Sequence, residues 1–191
     1  MLCRLLIFLF AFCLVAEEPS KKVVCVTIPK AGTHLLKKVI QQIAGKRPPW
    51  LIFEEKFLSS NENIYIAHLF PAINSLRTFR PDRVTKILLI RDPRDILISF
   101  AHHLVNKKWP FRLDKMNYDA KALKALSWDD KLKTAMLFPP NTPQDSFPCV
   151  KEWLQDPNII VIRFEDLIGP RGGGSLEAQR RIYLTLATHL G

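Results

Sequence analysis

The stretch that decides the fold of this 191-residue chain reads Thr27-Ile28-Pro29-Lys30-Ala31-Gly32-Thr33-His34. It joins the apolar run Val23–Ile28 to the segment Gly32–Ala44, whose apolar residues recur every three to four positions. This pattern predicts a buried strand, a tight turn and an amphipathic helix. A helix N-terminus directs backbone N–H groups and its positive dipole end at one point, where Lys30 adds a full charge. The stretch therefore predicts an anion cradle.

The order of residues in this loop differs from the phosphate loop of ATP-binding proteins. That loop has two glycines flanking four residues and a Lys directly before a Ser or Thr. Here Lys30 precedes Gly32 instead. Taken alone, the stretch is explained equally well by a plain strand-to-helix turn without a ligand.

Three further apolar runs, Ile64–Leu69, Lys86–Ile90 and Ile159–Phe164, predict parallel strands that are covered on both faces, because they lack a clean alternation. The predicted helices are Gly32–Ala44, Pro93–Val105, one or two helices around Asp119–Phe138 and Phe147–Gln155, and a last helix from a Ser175 cap to about His189. Alternating strands and helices predict an α/β fold with three layers, a P-loop-like arrangement of a central parallel sheet with helices on both faces. Ligands of such sheets bind beyond the carboxyl ends of the strands.

A second candidate anion site follows the third predicted strand, at Arg91–Asp95. Asp92 suits the N-cap of the next helix and Pro93 its first position. Arg91 therefore leaves the carboxyl end of a strand, and its planar guanidinium suits a phosphate. A capped helix with internal ion pairs is an adequate alternative for the capping residues, but it does not explain Arg91 together with Ser99.

These motifs resemble those of the sulfotransferase family. Pro29-Lys30-Ala31-Gly32-Thr33 is similar to the family's 5′-phosphosulfate loop, typically Pro-Lys-Ser-Gly-Thr. Arg91, Asp95 and Ser99 match its 3′-phosphate pattern, Arg-x-x-x-Asp-x-x-x-Ser. Ile162–Leu167 resembles the later Arg-Tyr-Glu-Asp-Leu strand end, and the glycine loop at 169–175 resembles that of bacterial members. The motifs extend in the family's order from about Val23 to the end of the chain.

The resemblance implies transfer of a sulfuryl group from 3′-phosphoadenosine-5′-phosphosulfate to an acceptor hydroxyl or amine. His68, within a stretch similar to Lys-Thr-His-Leu-Pro, is implied as the general base, and Lys30 as the group that neutralises the leaving phosphate oxygen. The residues expected to hold the donor are Lys30, Ala31, Gly32, Thr33, His34, Arg91, Ser99 and Arg171. The implied reaction uses no metal, and no ligand cluster in the sequence indicates one.

The sequence departs from the family pattern at three places. Ile66 stands where cytosolic members often have Lys, and Ala31 replaces the loop Ser. No Arg-Lys-Gly motif follows the last predicted helix, so either Arg171 and the glycine loop substitute for it or donor binding is weakened. Two alternative functions therefore remain, a truncated, non-catalytic anion- or nucleotide-binding relative and, less favoured, a nucleotide phosphotransferase.

The bulk composition restricts the partners. A formal net charge of +10 favours anionic ligands. Without zinc-finger spacing, an aromatic RNA-binding signature or a basic tail, no nucleic-acid partner is expected. The expected acceptor is a small molecule, a lipid or a glycan. Whether Cys25 pairs with Cys149 is left open by the sequence.

The first residues form a separate segment. Met1–Arg4 carries one positive charge, Leu5–Ala16 is unbroken in apolar residues, and Glu17–Lys22 is polar. Twelve apolar residues match the core of a signal peptide better than a membrane span of about 20. Residues 1–22 are therefore predicted to be a signal peptide or short anchor, and 23–191 the sulfotransferase-like domain. This predicts a secretory or membrane-associated protein, with membrane association through residues 5–16; a tether facing the cytosol is the alternative.

Overall fold

The computed structural model describes residues 21–51, 57, 59–106, 120–137 and 143–190. The predicted leader at residues 1–22 lies outside these ranges except for its last two residues. Within the described ranges, no helix is both long enough and apolar enough to cross a membrane.

Four strands form one parallel sheet, as the apolar runs predict. They are β1 (Lys22–Thr27), β2 (Ile64–His68), β3 (Val84–Ile90) and β4 (Ile159–Arg163). Their spatial order is β2-β1-β3-β4, so β1 and β3 lie in the centre. The predicted strand ends differ by at most two residues. Phe164, predicted as the last residue of a strand, instead begins a short helix.

Eight helices connect or follow these strands in the described part of the chain. They are α1 (Thr33–Ala44), α2 (Pro71–Asn74), α3 (Pro93–Val105), α4 (Ala120–Ala125), α5 (Trp128–Met136), α6 (Pro143–Trp153), α7 (Phe164–Ile168) and α8 (Leu176–Leu190). Short 3₁₀ turns at Ser75–Thr78 and Gly169–Gly172 follow α2 and α7.

Local capping explains where two of these helices begin. The predicted helical region around Asp119–Phe138 contains two helices, and the second starts at Ser127, whose hydroxyl accepts from the backbone N–H of Asp130 at 3.2 Å. Ser175 caps α8 in the same way, with the N–H of Ala178 at 3.0 Å, as predicted. Helix α6 begins at Pro143, earlier than predicted, because proline is favoured in a first helical turn.

Strands β1, β2 and β3 bury both faces, whereas the edge strand β4 leaves Val161 42% exposed, so the predicted burial of both faces is wrong for β4. In β1, Val23 and Cys25 pack in a cluster with α1 and α8, whereas Val24 and Val26 pack in a cluster with α6. Full burial of one Val side chain contributes about 1.5–3 kcal/mol, so these two clusters hold helices on both sides. The three-layer, P-loop-like α/β prediction is confirmed.

The two described cysteines lie in these separate clusters. Cys25 packs on the α1 and α8 side and Cys149 on the α6 side, and both are free thiols. Burial raises the pKa of Cys25 to about 12, which keeps it protonated. The pairing that the sequence left open is therefore absent.

Candidate functional site

The carboxyl edge of the sheet collects the predicted site residues. Because the four strands are parallel, the segments that follow them emerge at the same edge. His68 ends β2, Lys30 lies in the loop after β1, and Arg91 follows β3. The strand order places the loop between His68 and Arg91, with Phe164 after β4 on the far side of Arg91.

The loop after β1 turns tightly and leaves the start of α1 open. The N–H of Ala31 donates to the carbonyl of Ile28 at 2.9 Å. Lys30 adopts a left-handed φ of 72°, which no other non-glycine residue in the described ranges does. No side chain caps α1 and no acidic residue lies in its first turn. The positive end of the helix dipole therefore meets no acidic side chain from the cap or the first turn of α1 itself.

Gly32 is required at the N-cap of α1 for two reasons. Its φ of 104° is a conformation that side chains with a Cβ rarely adopt. A Cβ at this position would also overlap the ring of Phe164. The loop backbone and Phe164 are therefore packed against each other, and no other residue type fits this contact.

A chain of buried hydroxyls joins this loop to His68. The hydroxyls of Thr27 and Thr33 lie 2.6 Å apart, and the Thr27 hydroxyl lies 3.2 Å from Nδ1 of His68. Thr27 ends β1 and Thr33 begins α1, and both side chains are buried. The anion loop and the candidate base are thus connected through two side chains.

His68 lies in an aromatic setting that keeps it neutral. Its ring centroid is 5.0 Å from that of Trp50 and 5.9 Å from that of Phe70. Burial lowers the pKa of His68 to about 4; hydrogen bonding to the Thr27 backbone opposes this shift, and the charges of His34 and Lys30 add to it. At neutral pH the imidazole is therefore unprotonated on one nitrogen and able to accept a proton.

Trp50 reaches His68 because its segment extends the sheet. The N–H of Leu51 donates to the carbonyl of Ile66 at 2.8 Å, and the N–H of Ile66 donates to the carbonyl of Pro49 at 3.1 Å. On its other side, the indole lies 5.0 Å from the ammonium of Lys37, within cation–π range. Trp50 is therefore fixed between α1 and the base, with 39% of its surface exposed.

Arg91 is fixed by three contacts but keeps an unused donor. Its Nη1 donates to the Lys30 carbonyl at 3.2 Å, and its Nη2 lies 3.6 Å from the carboxylate of Asp95. Its guanidinium lies 4.3 Å from the ring centroid of Phe164. The buried Nε has no hydrogen-bond partner. Burial, together with the charge of Arg91, lowers the pKa of Lys30, so two cationic groups meet beside the loop.

The start of α3 is closed by its own residues, as the alternative interpretation predicted. Asp92 accepts from the N–H of Arg94 at 2.9 Å and pairs with its guanidinium at 2.6 Å. These hydrogen bonds lower the pKa of Asp92 to about 2. The carboxylate of Glu165 accepts from the N–H of Asp92 at 3.0 Å. Asp95 pairs with Arg91 instead of Arg94.

For the remaining predicted residues, no described hydrogen bond or ion pair joins them to Lys30, His68 or Arg91. Ser99 is half-buried one helical turn after Asp95, and therefore on the same face of α3. His34 is exposed in the first turn of α1. Arg171 is exposed in the 3₁₀ turn after α7, and no described contact joins it to Arg91.

Three residues of the site were missed by sequence reasoning. Thr27 has a signal in the sequence, since it is a polar residue at the end of an apolar strand. Phe164 was assigned to a strand, and Trp50 lies in a segment for which no element was predicted. Only the fold shows that Trp50 lies against His68 and Phe164 against Arg91.

The donor set fits a ligand with separated anionic groups. Lys30, the open end of α1 and the Thr33 hydroxyl suit one phosphate, and the unpaired Nε of Arg91 suits a second. Among the described residues, no group of three or more His, Cys, Asp or Glu is placed to hold a metal ion.

Comparison with known proteins identifies the family and the fold. A family model described as a sulfotransferase domain matches residues 20–170. The crystal structure of mouse sulfotransferase SULT7A1 complexed with PAP is similar, with a TM-score of 0.56 and 15% sequence identity. That match covers 90% of this chain but only 65% of the mouse chain, and at this identity it shows the fold alone. No curated protein sequence matches significantly.

Proposed function

Because the chain belongs to the sulfotransferase domain family, we propose that it transfers a sulfuryl group from 3′-phosphoadenosine-5′-phosphosulfate to an acceptor hydroxyl or amine. The observation that carries this proposal is the connection of a neutral histidine to an anion loop through buried hydroxyls.

The donor's two phosphates are assigned to separate parts of the site. Lys30, Ala31, Gly32, Thr33 and His34 form the loop and first helical turn proposed for the 5′-phosphate. Arg91 is proposed for the 3′-phosphate, together with Ser99 and Arg171. Ser99 lies on the same face of α3 as Asp95, and Arg171 follows α7 in the sequence. The contact of Nη1 with the Lys30 carbonyl links the two parts.

When bound, the donor supplies a sulfuryl group whose bond to the bridging phosphate oxygen breaks as the acceptor oxygen or nitrogen bonds to sulfur. Lys30 would stabilise the charge that develops on the leaving oxygen, and its half-buried ammonium is only partly screened by water. The open N-terminus of α1 acts in the same direction. Positioning and electrostatics therefore account for catalysis without a covalent intermediate.

His68 is the proposed general base. Its low pKa keeps the imidazole neutral at pH 7, so that one ring nitrogen, proposed to be Nε2, can take the acceptor proton. Nε2 has no hydrogen-bond partner among the described residues. Trp50 and Phe70 flank the ring, which favours an acceptor with an apolar or aromatic portion beside its hydroxyl or amine. A lipid or glycan acceptor, and a secretory or membrane location through residues 5–16, remain predictions from the sequence.

A non-catalytic anion-binding protein is the second candidate, because no described hydrogen bond joins Ser99 or Arg171 to Arg91. A transfer assay with radiolabelled donor and a panel of phenols, sugars and lipids distinguishes the two. The proposal expects labelled product with wild-type protein. It expects His68→Ala to abolish the product while binding of adenosine 3′,5′-bisphosphate persists. The control is His189→Ala, which changes an exposed histidine of α8.

The possible results have separate meanings. Unchanged transfer by His68→Ala would refute the base assignment. Bisphosphate binding without transfer to any acceptor class favours the second candidate. Absence of both binding and transfer would overturn the proposed function.

A further inference from the structure

Thr27 connects the anion loop to His68, but the proposed reaction gives its hydroxyl no role of its own. Its side chain is fully buried, with 0% exposure, at the last residue of β1. Burying a hydroxyl without hydrogen-bond partners is unfavourable, so its contacts explain why it can lie there. Those contacts are the Thr33 hydroxyl at 2.6 Å, Nδ1 of His68 at 3.2 Å and the Ala67 carbonyl at 3.4 Å.

A hydroxyl has a single proton to donate, and the Ala67 carbonyl at 3.4 Å is the most distant of the three partners of Thr27, so two arrangements use the shorter contacts. In the first, Nδ1–H of His68 donates to Thr27, Thr27 donates to Thr33, and Thr33 keeps its own proton for a ligand. In the second, Thr33 donates to Thr27 and Thr27 donates to an unprotonated Nδ1. The second arrangement places the imidazole proton on Nε2 and leaves Thr33 no proton for a ligand.

An anion in the loop distinguishes these arrangements. It accepts hydrogen bonds, so it favours the arrangement in which Thr33 can donate outward. That arrangement is also the one in which Nε2 of His68 is free to take a proton. Moving between them leaves the imidazole neutral: one proton leaves Nε2, one is gained at Nδ1 through solvent, and two hydroxyls rotate.

We propose that Thr27 is a positioning residue that links occupancy of the anion loop to the tautomer of His68. An anion that accepts from Thr33 thereby holds His68 with its proton on Nδ1 and with Nε2 ready for the acceptor. The inference rests on the proposed function for the identity of that anion and for the role of His68. Lys30 and His34, the charged and titratable groups that act on His68, lie on the loop and on α1.

The test is ¹⁵N NMR of the His68 ring in the full chain at pH 7.5, with saturating adenosine 3′,5′-bisphosphate. Wild-type protein is expected to show protonated Nδ1 and unprotonated Nε2. Thr27→Val, which keeps the shape but removes the hydroxyl, is expected to show a mixture of tautomers while binding the bisphosphate within about threefold of wild type. Thr27→Ser is expected to restore the single tautomer.

Activity supplies a second readout. Thr27→Val is expected to lower kcat by roughly ten- to a hundredfold, the range for removing an outer partner that orients an imidazole. KM for the donor should change by less than about threefold, because the loop and Arg91 are intact, and Thr27→Ser should recover most of kcat. A purely structural role would not change the tautomer in a folded variant.

Two outcomes would overturn the linkage: protonated Nε2 in the bisphosphate-bound wild type, or the same tautomer in Thr27→Val as in wild type. If the bisphosphate does not bind, the proposed function fails, and the same ¹⁵N measurement with inorganic phosphate tests the linkage by itself. A phosphate that leaves the His68 tautomer unchanged then overturns the linkage as well.

Discussion

Two strand-to-helix turns lie at the same edge of the sheet, and the helices that follow them are capped differently. The turn from β1 into α1 has Gly32 at its N-cap, no capping side chain and no acid in the first helical turn. The turn from β3 into α3 has Asp92 as a cap, Pro93 at the first position and Asp95 in the first turn. The start of α1 has no acidic side chain of its own, whereas the start of α3 has Asp92 and Asp95.

The difference shows that one turn can be stabilised by its own side chains while a similar turn in the same fold is left open for a ligand. At α3 the carboxylates satisfy the helix and hold Arg94 and Arg91 in place. At α1 the positive end of the helix dipole is left for a ligand to neutralise, and Lys30 and the Thr33 hydroxyl lie beside it. Arg91 joins the two turns, because it extends from the capped turn to the carbonyl of Lys30.

The largest effect is expected from closing the open turn. Gly32→Ala should abolish bisphosphate binding and lower the free energy of unfolding, because the new Cβ meets Phe164 at a left-handed φ. The matched control is Gly45→Ala at the end of α1. Its φ is also positive, but a Cβ added there would have no packing neighbour within 4 Å. The control should lose only the left-handed strain of about 1–2 kcal/mol and keep binding. Denaturant unfolding measures the free energy of unfolding, and calorimetry measures bisphosphate affinity. Equal losses of both quantities in Gly32→Ala and Gly45→Ala would contradict this account.

The next effect concerns the charge in the open turn. Lys30→Met should lower transfer by about a hundredfold or more, as removal of one stabilising donor does elsewhere. Lys30→Gly should lose transfer equally, yet be more stable than Lys30→Met by about 1 kcal/mol, because glycine tolerates the φ of 72°. Arg94→Met, in the capped turn, should transfer like wild type. Reduced transfer by Arg94→Met would mean that both turns hold the donor.

The smallest effect is the pH response of the capped turn. The pKa of Asp92 is lowered from 3.8 to about 2, so its contribution to stability is present above about pH 4. That contribution is lost as the pH falls toward 2. Asp92→Asn keeps a capping side chain but should flatten the change in unfolding midpoint across this range, without altering bisphosphate binding. An unchanged pH profile would show that the carboxylate charge is not what closes this turn.

Much of the fold could be predicted from local patterns in the sequence. Apolar runs without alternation mark strands buried on both faces, and β1 shows this with Val23 and Val24 in opposite clusters. Helix starts were predictable at Asp92 and Ser175 because capping depends on residues within the same turn. The predicted end of β4 was wrong by one residue. Phe164 is apolar like the strand before it, but it begins α7 and packs against Arg91 and Gly32, which are distant in the sequence.

The candidate site was predictable only in part. Lys30, Gly32, Arg91 and His68 follow strands, and parallel strands bring such residues to one edge. The partners of these residues depend on register across the sheet. Thr27 pairs with His68 across β1 and β2, and nothing in either segment alone indicates that contact. Trp50 depends on the same register, because its segment pairs beside Ile66.

The central claim is that the open turn and Arg91 form a single site for two separated phosphates. Calorimetric titration of the full chain with adenosine 3′,5′-bisphosphate and with adenosine 5′-monophosphate tests it most directly. The account predicts saturable binding of the bisphosphate, with the monophosphate weaker by about tenfold or more because it lacks the charged hydrogen bond to Arg91. Equal affinities, or no binding of the bisphosphate at millimolar concentration, would contradict it.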